Sequence, residues 1–545
     1  MAPRRSPGEP QAARRAGAVA DDPTAADGAP AAAADGPPDA AAPDRAHAAA
    51  PGGPPDAATT SAGLRTALAR GGVVNAVFLS GAEALVLLQG LLATALLGPR
   101  AIGLYGVVTT TAMTIVALRR VGIDEAFVQE AAADEEAEFQ RAFTVELALG
   151  LAGAALIAAL APVLAALYGD GRLLPLTLAV AYLPVAFALQ APQWVFFKRM
   201  DYLRLRALQA IVPLGTVAVT LPLLLAGVGV WALVIGPACG NAAAVAAALR
   251  AAPYRLRLRP DRAAARRYLR FSWPVFVTSL TLLVVAQGQV AVFGLSDGLA
   301  AAGWITLAAT LTRYADRADQ ILATTMYPAI VRVRDRADVL EELFAKANRL
   351  SLMWAFPFGA GLALFGADLV RFVLGDAWEG AIVLLAGLAL AAALQQVGYP
   401  WFAFYRARGE SWPQAVESAA LAGSFLALAV PGALLGGALW FVAGRLCCTA
   451  CVLGVRRAYL RRLLPGVSLA RLAARAGAPV LLASLPVLVL RVALWGAHRT
   501  VAQALAELVL WGIGLVVATR RLESPLLREL WGYLRPGPAA AGAPG

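Results

Sequence analysis

The sequence predicts an all-α polytopic membrane protein: about 14 transmembrane helices in two pseudo-symmetric six-helix lobes, followed by a C-terminal helix pair. Three observations predict it. Apolar runs of roughly 20 residues recur from Val73 to Thr519, and each can cross a hydrocarbon core about 30 Å thick at about 1.5 Å per residue. The 545-residue chain is 59% hydrophobic and only 15% charged, with mean hydropathy +0.65. A soluble domain runs near 45–50% apolar and about 25% charged. Short motifs also repeat about 208 residues apart, as set out below. The runs do not alternate as β-barrel strands do.

Taken in order, residues 1–62 are Ala, Pro, Gly and Asp with almost no large apolar side chain. Such a segment cannot bury enough surface to fold, so a disordered cytoplasmic tail is expected. It lacks the apolar core of a signal peptide. The expected spans are 72–98, 101–121, 142–168, 173–197, 206–227, 229–250, 271–294, 300–328, 346–373, 381–404, 414–433, 436–457, 472–493 and 498–519. They divide into a lobe at 72–250, a basic cytoplasmic linker at 251–270, a second lobe at 271–457 and a helix pair at 472–519. A cytoplasmic tail follows at 520–545.

Net charge is +12, which raises a nucleic-acid reading. The arginines sit between apolar runs, however, as expected of cytoplasmic loops beside an anionic leaflet. On this ladder 34 Lys and Arg fall on one side, against five on the other (Arg100, Arg172, Arg371, Arg491 and Arg499). The asymmetry places both termini in the cytoplasm.

The stretch Arg250–Arg270 is the one long interruption and suggests two halves. Pro192-Gln-Trp-Val-Phe196-Phe197-Lys198 is echoed by Pro400-Trp-Phe-Ala-Phe404-Tyr405-Arg406, 208 residues on. Gly227-Val-Gly-Val-Trp231 is echoed by Gly436-Gly-Ala-Leu-Trp440 at an offset of 209, and Gly169-Asp170 by Gly375-Asp376 at 206. Each half holds an even number of spans, so the repeats run parallel about an axis along the membrane normal, as in proteins whose lobes rock around a central site.

Several signals are absent or weak. No GxxxxGK[ST] loop is present to cradle nucleotide phosphates. His47 and His498 have no plausible partners for a metal or catalytic site. Cys239, Cys447, Cys448 and Cys451 lie in apolar runs, where small packing residues are the simpler reading even of the CxxC at 448–451.

With these motifs in place, the chain resembles the polysaccharide transporters of the multidrug/oligosaccharidyl-lipid/polysaccharide exporter superfamily, which include O-antigen flippases. The resemblance rests on Gly98-Pro-Arg-Ala-Ile-Gly103-Leu104-Tyr105, on Pro192 through Met200-Asp-Tyr, and on Gly229-Val-Trp231-Ala-Leu. Tyr327-Pro328 and Leu374-Gly-Asp-Ala-Trp378 add to it, over about Val73 to Leu464. It implies movement of an undecaprenyl-pyrophosphate-linked oligosaccharide across the bacterial inner membrane by alternating access, without enzymatic activity. It also implies membrane lipids and polysaccharide polymerase or glycosyltransferases as partners, no nucleic acid and no resident cofactor beyond coupling to H+ or Na+. A lipid II flippase, a drug or cation antiporter and a membrane-embedded glycan-processing enzyme are the alternatives. Short outside loops count against the enzyme.

Such a substrate calls for cations, hydrogen-bonding groups and an opening for a lipid tail. Arg suits the pyrophosphate because its planar fork meets two oxygens at once. Span 8 carries Arg313, Asp316, Arg317 and Asp319 at membrane depth, where ionisable groups face protein or water. The candidate cavity is Arg313, Asp316, Arg317, Gln320, Arg445 and Asn241, with Glu83 and Asp316 as candidates for ion coupling. Arg313 and Arg317, four apart, would share a helix face. Simple ion pairing around Asp316 stands beside the cavity reading. Glu146 and Glu417 are expected near helix ends, snorkelling to the interface. Gln287 and Gln289, two apart, point to different faces.

Overall fold

In a computed structural model of the chain, the described residues are 57–119, 123–129, 134–199, 201–319, 326, 330, 336–408, 410, 412–495 and 499–528. Contacts divide the chain into 1–63 and 64–545, and the description below concerns the second unit. Of the expected N-terminal tail, 1–56 lie outside the described residues, and helix is present from Ala57. Every regular element among the described residues is helical.

The first lobe comprises α1 (Ala57–Arg119), α2 (Ile123–Gln129), α3 (Glu135–Tyr168), α4 (Leu173–Val180), α5 (Leu183–Leu189), α6 (Pro192–Lys198), α7 (Tyr202–Leu225) and α8 (Ala232–Ala251). The second comprises α9 (Arg262–Ser296), α10 (Gly298–Thr312), α11 (Ala337–Leu369), α12 (Ala381–Gln395), α13 (Trp401–Ala407), α14 (Trp412–Ser424) and α15 (Val430–Leu463). The closing pair is α16 (Leu469–Leu490) and α17 (Val501–Leu522).

Nine helices among the described residues are long and apolar enough to cross a membrane. Two of these rods break at a glycine: α1 at Gly98 (φ 73°) and α15 at Gly437 (φ 68°). The count of fourteen spans rests on the sequence alone. Side chains such as Leu435 and Val492, each 88% exposed, face outward as a hydrocarbon solvent allows and water would not.

Three expected elements come out differently. Span 4 is three short helices, because Pro184 and Pro192 each open a new piece. Span 10 breaks between α12 and α13, where Gly398 takes φ 73° and Pro400 follows. The basic linker is partly helical: α9 begins at Arg262, capped by the Asp261 carboxylate, which accepts from the amides of Ala263 and Ala264. The rest of the linker is held on α3. Gln140 donates to the Arg255 carbonyl (3.1 Å), the Arg259 amide donates to Thr144 (2.7 Å), and buried Glu138 accepts from Arg141 (2.8 Å) and Tyr268.

The two lobes meet between α1, beyond its glycine, and α10. No side chain separates them at Gly103 and Gly303: a Cβ on either would fall within about 2 Å of a carbonyl oxygen of the other helix. Gln287 of α9 also reaches across, donating to the Thr110 carbonyl (2.6 Å).

The helix pair is held by a buried ionic network. Arg491 and Arg499 meet Glu507 at 2.8 and 2.6 Å, and Arg499 meets Asp368 of α11 at 2.9 Å. Both arginines were expected in outside loops. They are instead largely buried, because two carboxylates from neighbouring helices balance their charge.

Candidate functional site

The second lobe holds an open-mouthed cavity of about 180 Å³ whose polar lining is Arg313, Asp316, Arg445, Gln289, Gln395, Gln396 and Thr312. Five elements supply it. Gln289 comes from α9, Thr312 from the end of α10, Arg313 and Asp316 from the 3-10 turn that follows, Gln395 and Gln396 from the end of α12 and the break after it, and Arg445 from α15. The wall is thus made where two helices lose regularity, and at membrane depth irregular backbone is tolerated where protein or a cavity satisfies it.

The break in span 10 frees carbonyls, and two side chains take them up. Arg456 is 1% exposed and donates to the carbonyls of Gln395 (2.7 Å) and Val397 (2.5 Å). It also meets Glu417 at 2.7 Å. Asn348 donates to the Gln396 carbonyl (2.9 Å) and accepts from the Gly398 amide (3.1 Å). These bonds fix the two glutamines on the cavity wall. Arg456 was counted among loop arginines and Glu417 among snorkelling groups. Burial of Arg456 in an ion pair with half-buried Glu417 corrects these expectations, and the cause is the carbonyls exposed by the break.

Of the residues picked from sequence, Arg313, Asp316 and Arg445 come together. Arg445 lies 5.8 Å from the Phe425 ring, with its Nε and Nη1 buried and without a hydrogen-bond partner. Arg317 does not line the cavity; it packs 5.4 Å from the Tyr314 ring. The expected shared face with Arg313 fails because residues 313–316 form a 3-10 turn. At three residues per turn, positions four apart diverge by about 120°, against about 40° in an α-helix. Asn241 is in the first lobe, donating to the Pro237 carbonyl and accepting from Gln190 (3.3 Å). Gln320 and the Glu83 side chain lie outside the described residues. Glu146 is buried in α3 rather than at an interface. Gln287 and Gln289 do part: one bonds α1, the other faces the cavity. Sequence reasoning missed Gln395, Gln396 and Asn348. The one signal was the Gly398–Pro400 spacing beside a Gln pair.

A second space, about 840 Å³ and mainly apolar, runs between α11 and α17 from Trp354 to Val373 on one side and Val501 to Arg520 on the other. At 1.5 Å per residue that is roughly 28 Å, about the thickness of a hydrocarbon core. Trp354 joins the two spaces structurally: it lines the groove and donates through Nε1 to the Tyr314 carbonyl (2.9 Å), next to Arg313.

A multi-pass helical bundle with a charged internal cavity and a membrane-length apolar groove is the arrangement of a membrane transporter. The family described as Polysaccharide biosynthesis protein matches residues 92–383, more than half of the chain, and the chain belongs to that family. A search of curated protein sequences finds no match. Among solved structures, the lipid II flippase MurJ in an inward closed conformation is similar at TM-score 0.65 and 11% identity, over 84% of this chain and 100% of that one. An inward-facing multidrug resistance MATE family transporter of the MOP superfamily is similar at TM-score 0.59 and 15% identity, over 71% and 96%. The fold is that of these transporters.

Proposed function

We propose that the chain is a flippase carrying an undecaprenyl-pyrophosphate-linked oligosaccharide across the bacterial inner membrane by alternating access, for surface polysaccharide biosynthesis. The observation that carries the reading is a pair of neighbouring spaces: two arginines line a small polar cavity, and Trp354 of a membrane-length apolar groove bonds to Tyr314 beside Arg313. Arg313 and Arg445 would meet the pyrophosphate, the three glutamines would hydrogen-bond sugar hydroxyls, and the groove would take isoprenoid. Membership in a polysaccharide biosynthesis family supports the substrate class. In this reading the protein transports rather than catalyses, the termini are cytoplasmic, and polymerase and glycosyltransferases act before and after it.

The test is Arg313→Ala, Arg445→Ala and the double variant, scored for surface polymer and for retention of undecaprenyl pyrophosphate by purified protein. A charge-assisted hydrogen bond contributes about 1.5–3 kcal/mol, so each single variant should weaken retention roughly tenfold to a hundredfold. The double variant should export no polymer at unchanged membrane abundance. Normal export by it overturns the assignment.

A further inference from the structure

Asp319 lies one turn beyond the cavity wall and takes no part in it. Its side chain is 0% exposed, and among the described residues neither carboxylate oxygen has a hydrogen-bond partner. The groups around it explain why. Arg456 is within electrostatic range, yet its guanidinium is committed to Glu417 and to two carbonyls of the broken span. The Ser351 hydroxyl beside it is fully buried and likewise unpartnered. Among the described residues Asp316 and Tyr399 are also near, and the Asp316 charge is of the same sign. An ionised carboxylate here would give up its water and gain at most neutral hydroxyl donors such as Ser351, which costs several kcal/mol; a neutral acid avoids that cost and can itself donate to Ser351.

We propose that Asp319 is a proton-carrying group of the transport cycle, protonated in this conformation and discharged when the second lobe rearranges. In discharge the carboxylic O–H bond breaks, the electron pair stays on the carboxylate and the proton passes to water; nothing is oxidised or reduced. Movement of Arg456 away from its carbonyls is the event that would stabilise the resulting anion, since a guanidinium freed from them can donate to Asp319. This ties the protonation state to the geometry of Gln395 and Gln396 on the cavity wall. Coupling to substrate rests on the transport reading; the protonation state does not.

The experiment is pH-difference infrared spectroscopy on the full chain in lipid nanodiscs, without substrate. The wild type should show the carbonyl band of a buried neutral carboxyl group near neutral pH. Asp319→Asn should lose it, while Asp319→Glu and the control Asp170→Asn should keep one. Separation of the lobes, read by spin labels across the Gly103–Gly303 crossing, should respond to pH in the wild type and in Asp319→Glu, but not in Asp319→Asn. Absence of the band from the wild type overturns the proposal without needing any variant to fold. So does an unchanged pH response in Asp319→Asn, or a response to Na+ alone. Loss of lipid pyrophosphate retention with the band intact would count against the transport reading instead.

Discussion

Gly103 and Gly303 face each other at the crossing of α1 and α10, each under a carbonyl of the opposite helix. A Cβ on Gly103 would lie 1.7 Å from the Leu299 oxygen, and one on Gly303 would lie 2.0 Å from the Pro99 oxygen. The relation is reciprocal: 103 pairs with 303 and 99 with 299, always 200 positions apart. Gly98 and Gly298, which open the two helices with φ of 73° and 84°, obey the same offset. The two helices touch there backbone to backbone.

Any side chain at the crossing must part the helices. Gly103→Ala and Gly303→Ala should each destabilise the closed crossing by about 1–3 kcal/mol, as overpacking does, and by similar amounts because the contacts are related by symmetry. Spin-label distances across the crossing should shift toward an open population in both. An unchanged distance distribution in either variant would show that the crossing does not hold the lobes.

Arg456 should be sensitive to every replacement. Arg456→Met leaves half-buried Glu417 without its partner and two buried carbonyls without their donor, a loss of about 2–4 kcal/mol. Arg456→Lys should rescue little, since a single ammonium cannot reproduce the planar fork. Thermal unfolding in detergent checks both; a lysine variant as stable as wild type would contradict the geometry.

The network at Asp368, Arg491, Arg499 and Glu507 predicts the attachment of α16 and α17. Glu507 is fully buried between two arginines. Glu507→Ala should loosen the pair by about 3–5 kcal/mol, visible as faster protease cleavage around the α16–α17 connection. Protection equal to wild type would rule this role out.

Asp170 predicts a pH dependence outside the membrane. Hydrogen bonds from Arg172, and then from Arg100, hold its carboxyl well below the usual carboxylate range. A depressed folded-state pKa gives stability that is fully present above the unfolded value of about 3.9 and is lost as pH falls below it and through the lower folded-state value. Asp170→Asn should therefore melt earlier than wild type at neutral pH, by an amount matching about 1 kcal/mol or less because both arginines are more than half exposed. The gap should close in acid. A gap that persists in acid would point to packing rather than charge.

How far the site was legible follows from which forces act locally. Arg313 and Arg445 stood out because a charge in an apolar run is conspicuous wherever it lands. Arg317 misled because helix periodicity was extended through residues that fold as a 3-10 turn, a choice local propensity does not settle. Arg456 was hidden: it continues a basic series at the end of α15, and only the carbonyls opened 60 residues earlier by Gly398 and Pro400 give it a buried task.

By itself, the sequence determined the membrane-spanning helical class, the family and the charged character of span 8. These follow from hydrophobicity, from glycine and proline geometry and from repeated motifs, all readable within a few turns. Only the tertiary structure decided which charges share a cavity, which neutralise one another and which, like Asp319, are left without a partner. Those outcomes depend on contacts between helices distant in sequence, where desolvation and hydrogen-bond satisfaction, rather than local periodicity, set the energy.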